Sequence, residues 1–266
     1  MKVMGIVNVT PDSFSDGGEF FDHERAIAQG VKLARQGADV LDIGGESTRP
    51  GAKAVALEEE ELRRVIPVIE GLAGVVPLSI DTAKAEVARR AIAAGAEIVN
   101  DVTALRGDPE MAGVCAEAGT RIVLMHMLGT PRTMQDDPRY NDVVAEVAEF
   151  LAVQTGLAEA AGIARDRIWI DPGIGFGKTV AHNLQLLKAI DRFAEMKLPV
   201  LVGASRKRFI GQLDRDAPES ERLGGTIAAC LAALAGGASM VRVHDVAPVV
   251  QALRVAAAIE AAGEGT

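Results

Sequence analysis

The stretch GAEIVND (95–101) contains, in consecutive residues, the pattern that decides the fold of this chain. Gly95 follows a segment with helical periodicity, where a glycine commonly takes the left-handed position that ends a helix. A short apolar run then has the length and composition of a buried strand. Asn100 and Asp101 stand at the point where this strand would leave the core. Helix end, strand and polar strand end therefore follow one another directly.

The same pattern recurs along the chain, with apolar runs that nearly all end on or beside polar or charged residues. The other runs are MGIV (4–7), VLDI (40–43), LSI (78–80), RIVLMH (121–126), IWI (168–170), VLVG (200–203) and MVRV (240–243). Segments with helical periodicity lie between the runs, for example 24–37, 58–74, 109–119 and 140–162. Eight alternations of strand and helix predict an α/β fold of the (β/α)8 TIM-barrel type. In that fold the carboxyl ends of all strands meet at one rim, so side chains distant in sequence share a pocket.

Length and composition agree with one barrel and narrow the function. The 266 residues are close to the ~250 of a typical barrel, which predicts a single domain over 1–266. A net charge of −9 argues against binding to nucleic acid, which requires many Lys and Arg residues. No apolar run reaches the ~18 residues of a membrane span, and the start is too short for a signal peptide. Cys115 and Cys230 have no metal-binding spacing and are expected to be reduced thiols. We therefore expect a cytoplasmic enzyme with small-molecule substrates.

Four strand-end residues form the first candidate site: Asp42, Asp81, Asn100 and Asp171. Carboxylates and an amide gathered in one pocket can accept hydrogen bonds from a planar ligand with several N–H donors. A 2-amino-4-oxopyrimidine ring is such a ligand, because its amino group and ring N–H can meet one carboxylate together. Clustered hard oxygens also suit Mg²⁺, so metal binding is the alternative.

Positively charged residues are expected on the other side of the rim: Arg49, Lys207, Arg242 and His244. They could hold a phosphate or diphosphate, because phosphate sites after strands 7 and 8 recur in this fold. Lys207 could instead form a Schiff base with a carbonyl substrate. Met125 and Phe176 could flank a flat ring, although packing in the core is an equal alternative for Met125.

The glycine-rich segment DPGIGFGKT (171–179) resembles a phosphate-binding loop, but its spacing is different. A Walker A motif has four residues between its first Gly and the GK pair, whereas three separate Gly173 from Gly177. Lys178 occupies the position of the third glycine of a Rossmann fingerprint. The histidines also lack zinc-binding spacing. Nucleotide-loop and zinc chemistry are therefore disfavoured.

Eight blocks of the chain together resemble the dihydropteroate synthase family. They are NVTPDSFSDGG (8–18), DIGGESTRPGA (42–52), SIDT (79–82), IVNDVTAL (98–105), LMHM (124–127), DPGIGFGKT (171–179), GASRKRFIG (203–211) and RVHDV (242–246). The resemblance runs nearly from end to end. One departure is that many members carry residues before the first motif, which here begins almost at Met1.

The resemblance implies condensation of 6-hydroxymethyl-7,8-dihydropterin diphosphate with 4-aminobenzoate, in an SN1-like, Mg²⁺-dependent reaction of folate biosynthesis. The roles it implies for catalysis fall on Asp81, Lys207, Arg242 and His244, and for pterin binding on Asp81, Asn100, Asp171, Lys207, Met125, Phe176 and Arg242. It also implies a diphosphate site at Arg49, Arg242 and His244, a 4-aminobenzoate and sulfonamide site at Thr48, Pro50, Phe176 and Ser205, and Asn8 as the Mg²⁺ ligand.

Other functions remain open at this point. A pterin-binding methyltransferase domain that works with a corrinoid protein would share the barrel and the Asp/Asn/Asp set, and a non-catalytic pterin-binding relative would share the pocket. The Ala- and Gly-rich stretch 223–238 could form a homodimer interface or pack within the monomer. The long segments 10–20 and 44–54 could gate the rim, since loops of this length are often functional.

Overall fold

The computed structural model describes residues 1–9, 19–46 and 58–262, and within these ranges eight parallel strands form an almost closed barrel. The strands are β1 (Lys2–Asn8), β2 (Val40–Gly44), β3 (Leu78–Asp81), β4 (Ile98–Asp101), β5 (Arg121–Met125), β6 (Ile168–Asp171), β7 (Leu201–Val202) and β8 (Met240–Val243). Their order around the barrel is β6-β5-β4-β3-β2-β1-β8-β7. A single bridge between Ile170 and Val200 joins β6 to β7 and completes the circle. The predicted fold class is confirmed.

Helices cover the outside of the barrel. They are α1 (Glu19–Arg35), α2 (Glu58–Leu72), α3 (Ala85–Ala93), α4 (Met111–Ala118), α5 (Val143–Ala160), α6 (Val180–Lys188), α7 (Ile190–Ala194), α8 (Arg208–Leu213), α9 (Leu223–Ala235) and α10 (Val246–Ala262). Two helices follow β6 and two follow β7, which the simple eightfold alternation did not predict. None of the helices in the described ranges is long and apolar enough to cross a membrane.

The strands follow the predicted pattern of helix end, buried run and polar end. Gly95 has a positive φ of +117° and a backbone N–H bonded to Ile92, so it reverses the chain between α3 and β4. Cys115 in α4 and Cys230 in α9 are both buried, free thiols. Burial raises the pKa of each thiol to about 12, which keeps both protonated at neutral pH.

Side chains along each strand point alternately outward and inward, so the barrel has one apolar core on its outside and another in its interior. Outward-facing residues such as Leu41, Ile80 and Val241 pack against the helices in the main core. A second apolar cluster comes from six strands and contains no helical residue, so it fills the barrel interior: Met4, Val40, Ile98, Val123, Leu201 and Met240. We call these six side chains the lower layer.

Two residues further along each strand the side chain points inward again, one level nearer the rim. This upper layer contains Asp42, Asp81, Asn100, Met125, Asp171 and Arg242, which all lie at the carboxyl side of the lower layer. The strand register therefore determines which side chains meet in the pocket.

Candidate functional site

The centre of the pocket is a buried cluster of charges from four strands. Arg242 donates from Nε to Asp42 Oδ2 at 2.6 Å and from Nη2 to Asp81 Oδ2 at 2.6 Å. Asn100 donates its amide N–H to the same Asp42 oxygen at 3.1 Å. Asp42, Asp81 and Asn100 are all buried. One guanidinium thus holds two carboxylates, and the amide fixes the position of one of them.

Two carboxylates against one guanidinium leave an excess of negative charge, and this affects the protonation of Asp81. Burial raises the pKa of the Asp81 carboxyl from 3.8 to about 7, with further increases from Asp42 and Glu61 and opposing effects of Arg242 and Lys207. Burial alone would lower the pKa of Arg242, but Asp42 and Asp81 raise it well above its ordinary value. Arg242 therefore stays charged, whereas Asp81 can exchange a proton near neutral pH.

Asp171 at the end of β6 faces a second group of side chains. Its Oδ1 accepts a hydrogen bond from the Gly173 backbone N–H at 2.7 Å. Burial raises the Asp171 pKa to about 6, against the effects of that hydrogen bond and of Lys207, Lys178 and Arg242. Lys207 acts electrostatically on both Asp171 and Asp81. The Lys207 ammonium lies 3.9 Å from the centre of the Phe176 ring, in a cation–π contact.

An apolar wall adjoins the acidic groups. Met125 and Phe176 are buried in a separate cluster with Val102, Met127 and Met134. Because Asn100 and Asp171 lie in the same upper layer as Met125, the pocket has polar acceptors on one side and an apolar surface on another. A flat heterocycle with N–H donors on its edge has the complementary distribution of polarity.

Ser205 and His244 form a pair on the rim beside β8. The Ser205 hydroxyl oxygen accepts a hydrogen bond from the His244 backbone N–H at 3.2 Å and lies 3.0 Å from His244 Nδ1. If the imidazole is neutral and the serine donates to Nδ1, the proton of the ring is on Nε2. If the imidazole is charged, both nitrogens carry a proton. In these two states His244 Nε2 is a hydrogen-bond donor, whereas in the neutral tautomer that carries its proton on Nδ1 it is an acceptor.

The neighbouring segment is fixed by Arg206, which donates from Nε and Nη2 to the two oxygens of Asp245 at 2.8 and 2.6 Å. This bidentate pair ties the turn before α8 to the end of β8. Ser205, Lys207 and His244 consequently come from segments that are held together.

Asn8 ends β1 next to Gly44 of β2, and Gly44 in turn pairs with Asp81 of β3. The side-chain oxygen of Asn8 is a hard donor of the kind Mg²⁺ accepts. Among the described residues no group of three or more His, Cys, Asp or Glu side chains could hold a metal. A Mg²⁺ ion held by Asn8 would need further oxygen ligands besides this side chain.

The structure brings together most of the residues predicted from the sequence, namely Asn8, Asp81, Asn100, Met125, Asp171, Phe176, Ser205, Lys207, Arg242 and His244. Thr48, Arg49 and Pro50 lie outside the described residues, as do most of the segments 10–20 and 44–54.

One expectation about Arg242 was wrong. It does not stand on the far side of the rim from the carboxylates but between two of them, because position 242 faces inward in β8. The sequence places Asp42 among the acceptors of the candidate site without a specific role in binding. In the structure it is the partner of Arg242 and Asn100.

Glu61 was missed entirely. This fully buried residue of α2 raises the pKa of Asp81 through its charge. Its Oε2 accepts a hydrogen bond from Lys84 Nζ at 2.5 Å. A charged residue at a core-facing position of the helical segment 58–74 is the signal that could have drawn attention to it.

The fold and the pocket together define a class of protein: a (β/α)8-barrel enzyme whose strand ends carry paired acids and bases around a small-molecule site. Residues 4–244 match the sequence profile of the family described as pterin binding enzyme. The chain belongs to the dihydropteroate synthases within this family, as the relatives that follow demonstrate.

Relatives of this name match almost the full length of the chain. The dihydropteroate synthase of Escherichia coli (strain K12) is 48% identical over 264 residues, which are 98% of this chain and 93% of that protein. A structure of the Xanthomonas albilineans enzyme with 4-aminobenzoic acid has 55% identity and a TM-score of 0.92, and covers 98% of this chain and 93% of that one. Another structure of that enzyme, in complex with 7,8-dihydropteroate, has 51% identity and a TM-score of 0.89, with coverages of 98% and 94%.

Proposed function

We propose that this chain condenses 6-hydroxymethyl-7,8-dihydropterin diphosphate with 4-aminobenzoate to give 7,8-dihydropteroate and diphosphate, in a Mg²⁺-dependent step of folate biosynthesis. The observation that carries the proposal is the convergence of Asp81, Asn100, Asp171 and Arg242 from four strands on one buried pocket. Structures of a relative with 4-aminobenzoic acid and with 7,8-dihydropteroate support the choice of substrates.

The dihydropterin ring is assigned to the pocket between the acids and the apolar wall. Asp171 would accept hydrogen bonds from the 2-amino group and the adjacent ring N–H, and Asn100 and Asp81 would bind other polar atoms of the ring. Met125 and Phe176 would cover its faces, with Lys207 against Phe176. Burial of these acceptors makes each unpaired acceptor costly, so a ring without the matching donors would bind poorly.

The diphosphate is assigned to Arg49, Arg242 and His244. Arg242 uses Nε and one Nη2 hydrogen on carboxylates and has further N–H donors to offer, and His244 can donate from Nε2. Asn8 would hold Mg²⁺ together with phosphate oxygens. The ion would supply positive charge that stabilises the departing diphosphate.

In the proposed reaction the bond between the pterin methylene carbon and the diphosphate oxygen breaks first, and its electron pair leaves with diphosphate. Fixed cations at the rim stabilise this charge without having to reorganise. The methylene cation is delocalised into the ring, and the nearby Asp81 carboxylate stabilises it. The amine of 4-aminobenzoate, in a site assigned to Thr48, Pro50, Phe176 and Ser205, then forms the carbon–nitrogen bond with its lone pair and releases one proton to water.

The test is the release of diphosphate by the purified chain. With both substrates and Mg²⁺, diphosphate and 7,8-dihydropteroate should form in equal amounts, and chelation of Mg²⁺ should stop the reaction until Mg²⁺ is restored. A methyltransferase domain or a non-catalytic pterin-binding protein would release no diphosphate. For the dissociative order, exchange of the bridging oxygen into non-bridging positions should occur without 4-aminobenzoate; strict dependence on it would favour direct displacement.

The remaining expectations are also proposals. A homodimer through the stretch 223–238, which includes α9, is tested by sedimentation of the purified protein at several concentrations. A cytoplasmic location is tested by fractionation of the source cells.

A further inference from the structure

Lys178 is a buried lysine whose contacts are all with uncharged groups. Its ammonium lies 2.9 Å from His126 Nδ1, 2.9 Å from the backbone oxygen of Phe176 and 3.4 Å from the backbone oxygen of His126. The residue is only 3% exposed. A charged ammonium in such a place is costly unless it is paired and hydrogen-bonded, because burial removes its hydration.

The partner of Lys178 is a neutral imidazole. Burial, with Lys178 and Arg106 nearby, lowers the pKa of His126 to about 3. At neutral pH the Nδ1 atom of His126 can therefore accept a hydrogen bond from the ammonium. The His126 ring itself is held edge-on against Phe150, with a distance of 4.9 Å between the ring centres.

Lys178 joins the end of β5 to the turn that follows β6. This turn approaches β5 so closely that a Cβ atom on Gly173, which has a φ of +69°, would lie 1.8 Å from the His126 backbone oxygen. Asn183 fixes the middle of the turn by accepting a hydrogen bond from the Gly175 N–H at 2.6 Å. Within the turn, the Lys178 ammonium also donates to the Phe176 backbone oxygen.

The turn carries two groups that face the proposed pterin pocket. One is Asp171, whose carboxylate is held by the Gly173 N–H. The other is Phe176, whose ring contacts Lys207 and whose backbone oxygen accepts from Lys178. A change at Lys178 would therefore reach the pocket through both groups.

We propose that Lys178 is a positioning residue of the dihydropterin site: its ammonium, anchored on His126, fixes the turn at 171–178 and holds Asp171 as a charged acceptor for the pterin ring. The inference rests on the proposed function, because it concerns how the same site binds its substrate. Lys178 touches neither substrate nor reacting atoms in this proposal.

The electrostatics around Lys178 agree with such a role. Burial lowers the Lys178 pKa to about 7, which Asp171 opposes and Lys207 reinforces. Lys178 in turn opposes the rise of the Asp171 pKa to about 6, as do Lys207 and Arg242. In the pH range where Asp171 takes up its proton, Lys178 is therefore still charged. His126 remains neutral there, because burial, Lys178 and Arg106 all lower its pKa.

The experiment compares Lys178→Met, which removes charge and donors, with Lys178→Gln, which removes the charge but keeps an N–H donor of similar reach. Binding of a pterin ligand is measured from pH 4 to 9, and KM and kcat are measured for both substrates. Lys188→Met on the exposed face of α6 is the matched control, because it also removes a lysine charge.

In both Lys178 variants the acidic limb of the binding curve should move up by about one pH unit, which lowers affinity for the pterin ligand by about twofold at pH 7 and by about tenfold at pH 5. Lys178→Gln should retain more of kcat than Lys178→Met, because it keeps the turn in place. Lys188→Met should behave as the parent protein. Folded variants with unchanged affinity and an unchanged acidic limb would overturn the proposal.

A second pair of variants covers the case in which Lys178 variants do not fold. His126→Asn offers Oδ1 close to the position of Nδ1, whereas His126→Leu offers no acceptor. The His126→Asn variant should keep the parent's affinity for the pterin ligand, and the His126→Leu variant should lose it. Equal affinities of the two variants would contradict the proposal. Turnover by the unmodified protein reports on the proposed function alone, so failure of that function is recognised separately.

Discussion

The two layers of side chains inside the barrel come from the same strands and have opposite character. The lower layer, Met4, Val40, Ile98, Val123, Leu201 and Met240, is entirely apolar. Two residues after these positions stand Ile6, Asp42, Asn100, Met125, Gly203 and Arg242, and three of these six are polar or charged. The comparison shows how the barrel separates stability from chemistry along a distance of only two residues, ~7 Å.

The reason lies in what each layer gains from burial. Apolar side chains gain free energy when they leave water, so the lower layer stabilises the fold directly. Buried carboxylates and a guanidinium lose the free energy of hydration, and only close pairing offsets this loss. Such a layer is of little use for stability, but its shifted pKa values and fixed hydrogen-bonding groups are suited to binding and catalysis.

The greatest effect is expected of Arg242→Met, which places an apolar side chain, as in the lower layer, among the acids of the upper layer. Removing the guanidinium leaves Asp42 and Asp81 buried without their cation, so we expect the free energy of unfolding to fall by ~3–5 kcal/mol at neutral pH. Chemical denaturation measures this loss. It should become smaller in acid, because protonation of Asp81 removes part of the uncompensated charge.

The exposed Arg254 of α10 provides a control for that experiment, since Arg254→Met should change the unfolding free energy by no more than ~0.5 kcal/mol. If Arg242→Met were as stable as this control, the ion pairs of the upper layer would have no structural importance.

Substitutions of the charged groups around the pocket, other than Arg242, should affect activity more than stability. Asp81→Asn removes a carboxylate next to Arg242, and Lys207→Ala removes the cation that acts on both Asp81 and Asp171. Each should reduce kcat/KM by ~100-fold or more through loss of pterin binding. Steady-state kinetics with both substrates measures the effect, and near-normal turnover by either variant would contradict the assignment of the site.

The pH dependence of ligand binding distinguishes the layers without a mutation. Burial raises the Asp171 pKa to about 6, and only the ionised carboxyl is a full acceptor. Affinity for a pterin ligand should therefore fall by ~10-fold per pH unit below that value, as titration calorimetry can measure. The raised Asp171 pKa affects the stability of the ligand-free protein in the opposite direction to ligand affinity. The contribution of Asp171 to the free energy of unfolding is complete below pH 3.8 and is lost as the pH rises through about 6.

Asp171→Asn is the control for the pH experiment, because it cannot take up this proton. Its binding curve should lack the acidic limb assigned to Asp171. If the limb remained, another carboxyl of the upper layer, with Asp81 as the first candidate, would be responsible.

Much of the pocket could be predicted from the sequence because strand ends are local features. Asn100 and Asp171 directly follow apolar runs, and parallel strands bring such positions to one rim whatever their separation in the chain. Contacts between strands required more information. That Arg242 lies between Asp42 and Asp81 depends on the register of β8 against β1 and of β1 against β2, which no local pattern specifies.

Residues that act from outside the strands were the hardest to foresee. Glu61 reaches the pocket from α2 through its position in the helical repeat, and Lys178 reaches His126 through a turn whose path depends on close packing against β5. In the sequence both residues resemble ordinary surface charges. Their burial depends on tertiary packing, and it is burial that alters their chemistry.

The smallest expected effect is that of Ile98→Val in the lower layer, directly below Asn100 on β4. Loss of one buried methylene group should reduce the free energy of unfolding by ~1 kcal/mol. Because the backbone of β4 and the upper layer are unchanged, kcat/KM of the folded enzyme should stay within about twofold of the parent. Denaturation and kinetics on the same preparation test both statements. A large loss of activity without a matching loss of stability would show that the lower layer takes part in positioning Asn100, and the separation of the two layers would then be less complete than the structure indicates.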